Sequence, residues 1–240
     1  MHFVKAHTPT TDIFCFQEIF ASTAPLLESR GVRTHLYEEL TEALPDFQGF
    51  FAAEQDGFDF EGRIDFPIST GNAIFVRRTI PVPSWGDFFV YLTRNGARDV
   101  KHFPQNVVYA RLTVHDTEIT VANLHGIPQP GHKLDTSERL EQSRRIQEFF
   151  AKERGSKILC GDFNLLPGTQ SLAILKENMH DLVAEFTIER TRSRLSPFFG
   201  KPDFQEFSDY IFVSPDIHAT RLEVPDVQIS DHLPLILEFR

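Results

Sequence analysis

Short runs of aliphatic and aromatic residues recur along the chain, and five of them carry ionisable or amide side chains at one end. DIFCF (12–16) runs into Gln17 and Glu18, ITVA (119–122) into Asn123 and His125, and KILC (157–160) into Gly161-Asp162-Phe163-Asn164. Asp209 stands just before YIFV (210–213), and Asp231 with His232 just before LPLILEF (233–239). Apolar runs of this length, bounded by turn formers, read as buried strands. Strands hold the residues at their ends rigidly, which suits the building of a site. The first three clusters lie at the carboxyl ends of their strands and the last two at amino ends. If all share one pocket, the last two strands must run opposite to the first three, in a mixed sheet.

The other segments alternate strands with helices. FQGFFAAEQD (47–56) and GNAIFVRR (71–78) read as strands, and residues 107–126 as a hairpin that turns at HDTE. TSERLEQSRRIQEFFAKERG (136–155) reads as a helix. Thr136 or Ser137 can cap it, Leu140, Ile146, Phe149 and Phe150 share a face, and Gly155 stops it. TQSLAILKENM (169–179) reads as a second helix, and STAPLLESRGV (22–32) as a helix or turn ending at Gly31. Interleaved strands and helices indicate an α/β protein. With no repeat and no low-complexity linker, residues 1–240 read as a single domain.

Composition narrows the partners. The formal net charge is −10, which argues against tight, sequence-independent binding to a nucleic-acid backbone. It leaves room for a local basic patch, and Arg190, Arg192 and Arg194 in IERTRSRL could contact substrate phosphates. The 24 Phe residues suffice for a large core without staples. Cys15 and Cys160 both fall in apolar runs and read as core thiols of a reducing compartment. No long apolar span and no signal-like segment appears, so a cytoplasmic protein without a transmembrane segment is expected.

Each polar cluster has a plainer reading taken singly; Gly-Asp-Phe-Asn could be only a turn. Together they suit one chemistry, the hydrolysis of a phosphate ester. Glu18 is the first candidate to hold a hard divalent cation, with Asp231 a second. Asp162 can accept the proton of an attacking water. Asn164, His125 and His232 can donate to phosphoryl oxygens as charge develops there. Asp209 could orient His125 or assist the leaving group, and Asn123, Arg192 and Arg194 could contact substrate.

The ordered set Gln17-Glu18, Asn123-Leu124-His125, Gly161-Asp162-Phe163-Asn164, Ser208-Asp209-Tyr210 and Ser230-Asp231-His232-Leu233-Pro234-Leu235 closely resembles the endonuclease/exonuclease/phosphatase superfamily. The resemblance implies a DNase I-like fold, a four-layer α/β sandwich of two mixed β-sheets flanked by helices. It also implies Mg²⁺ or Mn²⁺ dependence and a phosphate-ester substrate: nucleic acid, phospholipid or a small phosphorylated molecule. The His of NLHG looks more like the DNase I, sphingomyelinase, deadenylase and phosphoinositide-phosphatase branches than the abasic-site nucleases. One departure stands out. Family members begin with a strand that ends in a metal-site Asn, whereas only 11 residues precede DIFCF here, room for the end of a helix. The first strand is therefore expected to be missing from these residues. The gap would be filled from upstream, closed by neighbouring strands, or paired with another chain by self-association. The same departure supports an alternative function, a weakly active or inactive member that binds rather than hydrolyses.

Overall fold

The computed structural model describes residues 1–240. Helix α1 (His2–His7) leads into strand β1 (Ile13–Ser22), helix α2 (Leu36–Ala43), and strands β2 (Phe47–Asp56) and β3 (Ile68–Arg77). The three strands form an antiparallel sheet in the order β1-β3-β2. Next come β4 (Ser84–Tyr91), β5 (Gln105–Val114), β6 (Thr117–His125), helix α3 (Ser137–Phe150) and β7 (Ser156–Asp162). Helix α4 (Gln170–Lys176), the short β8 (His180–Asp181), helix α5 (Leu182–Glu185) and β9 (Asp209–Val213) follow. These later strands make a six-stranded sheet in the order β8-β9-β7-β6-β5-β4. It is mixed, because β6 and β7 are parallel while β7 and β9 are antiparallel. The last strands, β10 (Ala219–Glu223) and β11 (Ile236–Phe239), pair only with each other.

Strand β3 illustrates how the layers arise. Successive side chains on a strand face opposite ways. Ile74 and Val76 join the large core that holds Val108, Leu124 and Leu159 of the six-stranded sheet. Ala73 and Phe75 point the other way, onto Leu40 and Leu44 from α2 and its end, where Met1 and Val4 also pack. Full burial of one such aliphatic or aromatic side chain is worth about 1.5–3 kcal/mol. The large core continues through the six-stranded sheet to Ile146 and Phe150 of α3 and Leu172 and Leu175 of α4. Helix, sheet, sheet and helix are the four layers of the DNase I-like sandwich. No helix is long and apolar enough to cross a membrane.

Most local expectations hold. Thr136 Oγ1 caps α3 by accepting from the Arg139 N–H at 3.2 Å. The β5–β6 hairpin turns at His115 and Asp116, both at positive φ, the backbone that matches strand twist in a tight hairpin. Residues 22–32 form no helix; Glu28–Ser29 and Val32–Arg33 pair as a small hairpin around Gly31. LPLILEF is extended, but only Ile236–Phe239 pairs as a strand. Strand β4 was not anticipated: it lacks a clean alternation, since Phe88 and Phe89 are adjacent and both half-buried. Residues 2–7 are helical, so no first strand forms from residues 1–11. β1 pairs on one side only, with β3, and the neighbouring strands do not close over its other edge.

Candidate active site

Register brings three of the expected residues into one row. His125 at the end of β6 lies opposite Asp162 of β7, and Asp162 lies opposite Asp209 at the start of β9. The antiparallel β9 thus delivers its amino end to the carboxyl ends of the parallel pair, as a shared pocket requires. Gly161 makes the close approach possible. Its φ is +130°, and a Cβ there would sit 2.0 Å from the Leu124 carbonyl oxygen. Beyond it the chain turns, and Asn164 takes a left-handed φ of 53°. The Asn164 N–H donates to Asp162 Oδ1 at 2.8 Å, and its Nδ2 donates to the Gly126 carbonyl at 3.0 Å. The Ser208 hydroxyl also donates to Asp162 Oδ1.

His232 arrives from the C-terminal segment. Its Nδ1 sits 2.8 and 2.9 Å from the two Asp209 oxygens, and its Nε2 lies 3.7 Å from Asp162 Oδ2. Burial alone would lower the His232 pKa, but Asp209 and Asp162 outweigh it and push it up to about 9. Burial alone would raise that of Asp162; the charges of Lys133, His232 and His125 and the Ser208 hydrogen bond instead hold it well below the usual carboxylate range. An ionised carboxylate and an imidazolium therefore face each other at neutral pH.

The three-stranded sheet supplies two more carboxylates, both at bulges. The β1–β3 register slips between Phe16 and Ile19, and the β2–β3 register between Ala53 and Gln55. Gly71 of β3 is the partner of both Ile19 and Ala53, and a Cβ on it would lie 2.1 Å from the Ala52 carbonyl oxygen. A bulge adds one residue and re-aims its side chain. Here it turns Glu18 and Glu54 to opposite sides of the His125 ring. Glu18 Oε1 lies 3.7 Å from Nε2, and Glu54 Oε2 lies 4.0 Å from Nδ1, an atom with no hydrogen-bond partner. Glu54 is 2% exposed and accepts from the Asn106 N–H at 3.1 Å and Asn72 Nδ2 at 3.0 Å. Burial pushes its pKa up to about 7 against the pull of His125. Glu18, at φ 56°, has a side chain 53% exposed.

The remaining expected residues divide. Arg192 Nη2 pairs with Asp231 Oδ2 at 2.8 Å, and that oxygen lies 3.8 Å from His232 Nε2, so both stand beside the row. Arg190 and Arg194 instead turn to Asp226, at 2.8 and 3.2 Å. Asn123 does not line the site. It is fully buried, donates to the carbonyls of Phe16 and Ala73 and accepts from Gln17, so it stitches the two sheets together. Asp209 serves His232, not His125, because β9 lies beyond β7 from β6. Glu54 takes the expected place beside His125. Its one sequence signal is a lone carboxylate within the apolar run FFAAEQ. Lys133 and Arg139 are also buried near the site.

A divalent cation fits part of this arrangement. Ligand atoms of Asp162, Asp209 and His232 lie within 4.8 Å of one another. Asp162 Oδ1 and both Asp209 oxygens are, however, already taken by donors. The open Glu18 carboxylate and Asp162 Oδ2 have capacity to spare, and hard cations prefer such oxygen donors.

The fold is similar to several solved structures. A mannosyl-6-phosphatase from Bacteroides thetaiotaomicron VPI-5482 superposes with a TM-score of 0.72 at 23% identity, covering 100% of this chain and 88% of that one. An endonuclease/exonuclease/phosphatase family protein from Leptotrichia buccalis gives 0.73 at 15% identity, covering 99% and 91%. A humanized D. rerio TDP2 gives 0.66 at 13% identity, covering 100% and 90%. No curated protein sequence matches. The model of the Endonuclease/Exonuclease/phosphatase family matches residues 1–232, and the chain belongs to that family.

Proposed function

We propose that this protein hydrolyses phosphate esters, as a phosphodiesterase, nuclease or phosphatase, with Mg²⁺ or Mn²⁺ held at Glu18. The observation that carries this reading is the Asp162–His232–Asp209 row, an ionised carboxylate 3.7 Å from an imidazolium that a second carboxylate holds in place. Asp162 Oδ2 takes a proton from the attacking water. His232 Nε2–H donates to a phosphoryl oxygen as negative charge builds there. His125 donates from the side of the three-stranded sheet, with Glu54 behind its ring. Asn164 has one N–H left beyond its bond to Gly126 and can meet a second oxygen. Arg192 holds the Asp231 carboxylate and adds positive charge beside the phosphate. A bound cation would neutralise charge on the phosphoryl and leaving oxygens.

Two neighbours suggest which substrates to try. One is named a mannosyl-6-phosphatase, and a D. rerio TDP2 structure is described with a single-strand DNA product. A small phosphomonoester, a nucleic-acid diester and a phospholipid are therefore the classes to compare. Free Cys15 and Cys160 suit a reducing, cytoplasmic setting. The test is hydrolysis of p-nitrophenyl phosphate, bis-p-nitrophenyl phosphate, a DNA oligonucleotide and a phospholipid. Chelation should abolish activity, and Mg²⁺ or Mn²⁺ should restore it. Hydrolysis that persists under chelation removes the role of Glu18. A protein that binds these esters without cleaving them is the second reading, favoured by the open edge of β1 beside Glu18.

A further inference from the structure

Lys133 lies inside the site yet has no part in the chemistry above. It is 6% exposed, and its Nζ donates to Ser208 Oγ, which in turn donates to Asp162 Oδ1. The direction of this chain is forced. An ammonium only donates and an ionised carboxylate only accepts, so the single Ser208 proton must point at Asp162. Oδ1 then holds two donors, the Ser208 hydroxyl and the Asn164 N–H. Oδ2 is left facing His232 Nε2 at 3.7 Å, with no donor of its own.

The loop that delivers Lys133 is pinned. Arg139 is fully buried, and its guanidinium donates to the carbonyls of Ile127, Pro130 and Leu134 at 2.6 to 3.1 Å. Lys133 itself has a left-handed φ of 54°, and its carbonyl accepts from the Leu166 N–H at 2.9 Å, just past the Asp162 turn. Burying an ammonium is costly unless it is paired and hydrogen-bonded, so a loop held this firmly around one marks a use for it.

We propose that Lys133 and Ser208 are positioning residues which, as a Lys133–Ser208–Asp162 relay, saturate Oδ1 and reserve Oδ2 as the oxygen that receives the proton of water. This rests on Asp162 being the base. The relay acts on the orientation of Asp162, not on substrate binding, so its loss lowers kcat and spares KM. The experiment compares wild type, Lys133→Met, Lys133→Arg, Ser208→Ala and the Lys133→Met/Ser208→Ala double variant. Each is assayed on whichever nitrophenyl ester the wild type cleaves, at saturating metal. Lys133→Met and Ser208→Ala should each lower kcat by about tenfold to a hundredfold, with KM within about threefold. Lys133→Arg should recover part of the loss. The double variant should be no slower than the slower single, because both break one chain of bonds. Near-normal kcat in Lys133→Met, a raised KM with kcat intact, or additive losses would overturn the relay. If Lys133→Met does not fold, Ser208→Ala and Lys133→Arg decide the matter by the same kcat and KM criteria. A wild type that cleaves nothing defeats the hydrolase reading and the relay with it. An active wild type with a silent relay defeats the relay alone.

Discussion

At the end of the six-stranded sheet Asp162 is 7% exposed and ringed by Asn164, Ser208 and His232, whereas Glu18, at the bulge within β1 of the three-stranded sheet, has a side chain 53% exposed with His125 Nε2 3.7 Å away. His125 lies between them, 3.7 Å from Glu18 and opposite Asp162 in register. On the first side the protein supplies the compensating charge itself, through His232 and the buried Lys133. In the proposed function, the second side leaves its charge for the metal. The closed side then serves proton transfer, which needs fixed geometry, and the open side serves an exchangeable ion, which needs unspent oxygen lone pairs.

The largest effect should come from breaking the closed side. Asp162→Asn and His232→Ala should each lower kcat by at least about a hundredfold, measured in steady state at saturating metal. The same side sets the pH response. The His232 pKa is raised to about 9, so its imidazolium is present at neutral pH and is lost as pH rises through that value. Its contribution to stability has the same sign, complete below the ordinary histidine range and gone above the raised pKa. A wild-type rate that stays flat well into the alkaline range would show that His232 does not act as the charged donor.

Breaking the open side should be milder and different in kind. Glu18→Gln should raise the Mg²⁺ or Mn²⁺ concentration needed for half activity by about tenfold to a hundredfold, the scale of a weakened metal site, with little change in ester preference. A titration that leaves that concentration unchanged would erase the contrast between the sides. The smallest effect on chemistry should come from parting the sheets. Asn123→Ala removes the hydrogen bonds that tie β6 to Phe16, Gln17 and Ala73 of the other sheet, and should cost about 1–3 kcal/mol in denaturant unfolding. If activity falls with stability unmoved, Asn123 touches substrate after all.

The contrast also explains what could be read from the chain. Residues whose role follows from local order were legible. Thr136 caps its own helix, His115 and Asp116 turn their own hairpin, and Gly161 to Asn164 end their own strand. The helical start of the chain was legible too, since the 11 residues before DIFCF have room for little else. Residues whose role depends on two sheets meeting were not. Glu54 reaches His125 only through a bulge facing Gly71, and Lys133 reaches Asp162 only because Arg139 gathers the loop. Asn123 resembled the other strand-end amides, and its burial followed from how the sheets stack. The pairing of Asp209 with His232 depended on strand order, which no local pattern encodes.

Glu18 and Asn164 share one backbone trait, a left-handed φ of 56° and 53°. Most side chains other than glycine cost about 1–2 kcal/mol there, asparagine less because it bonds locally, so the strain falls on Glu18. Selection for folding alone would drift toward glycine at Glu18 and gain stability. At Glu18 such a glycine would relax the bulge and remove the open carboxylate with it, so backbone ease and the proposed metal site pull against each other at one residue.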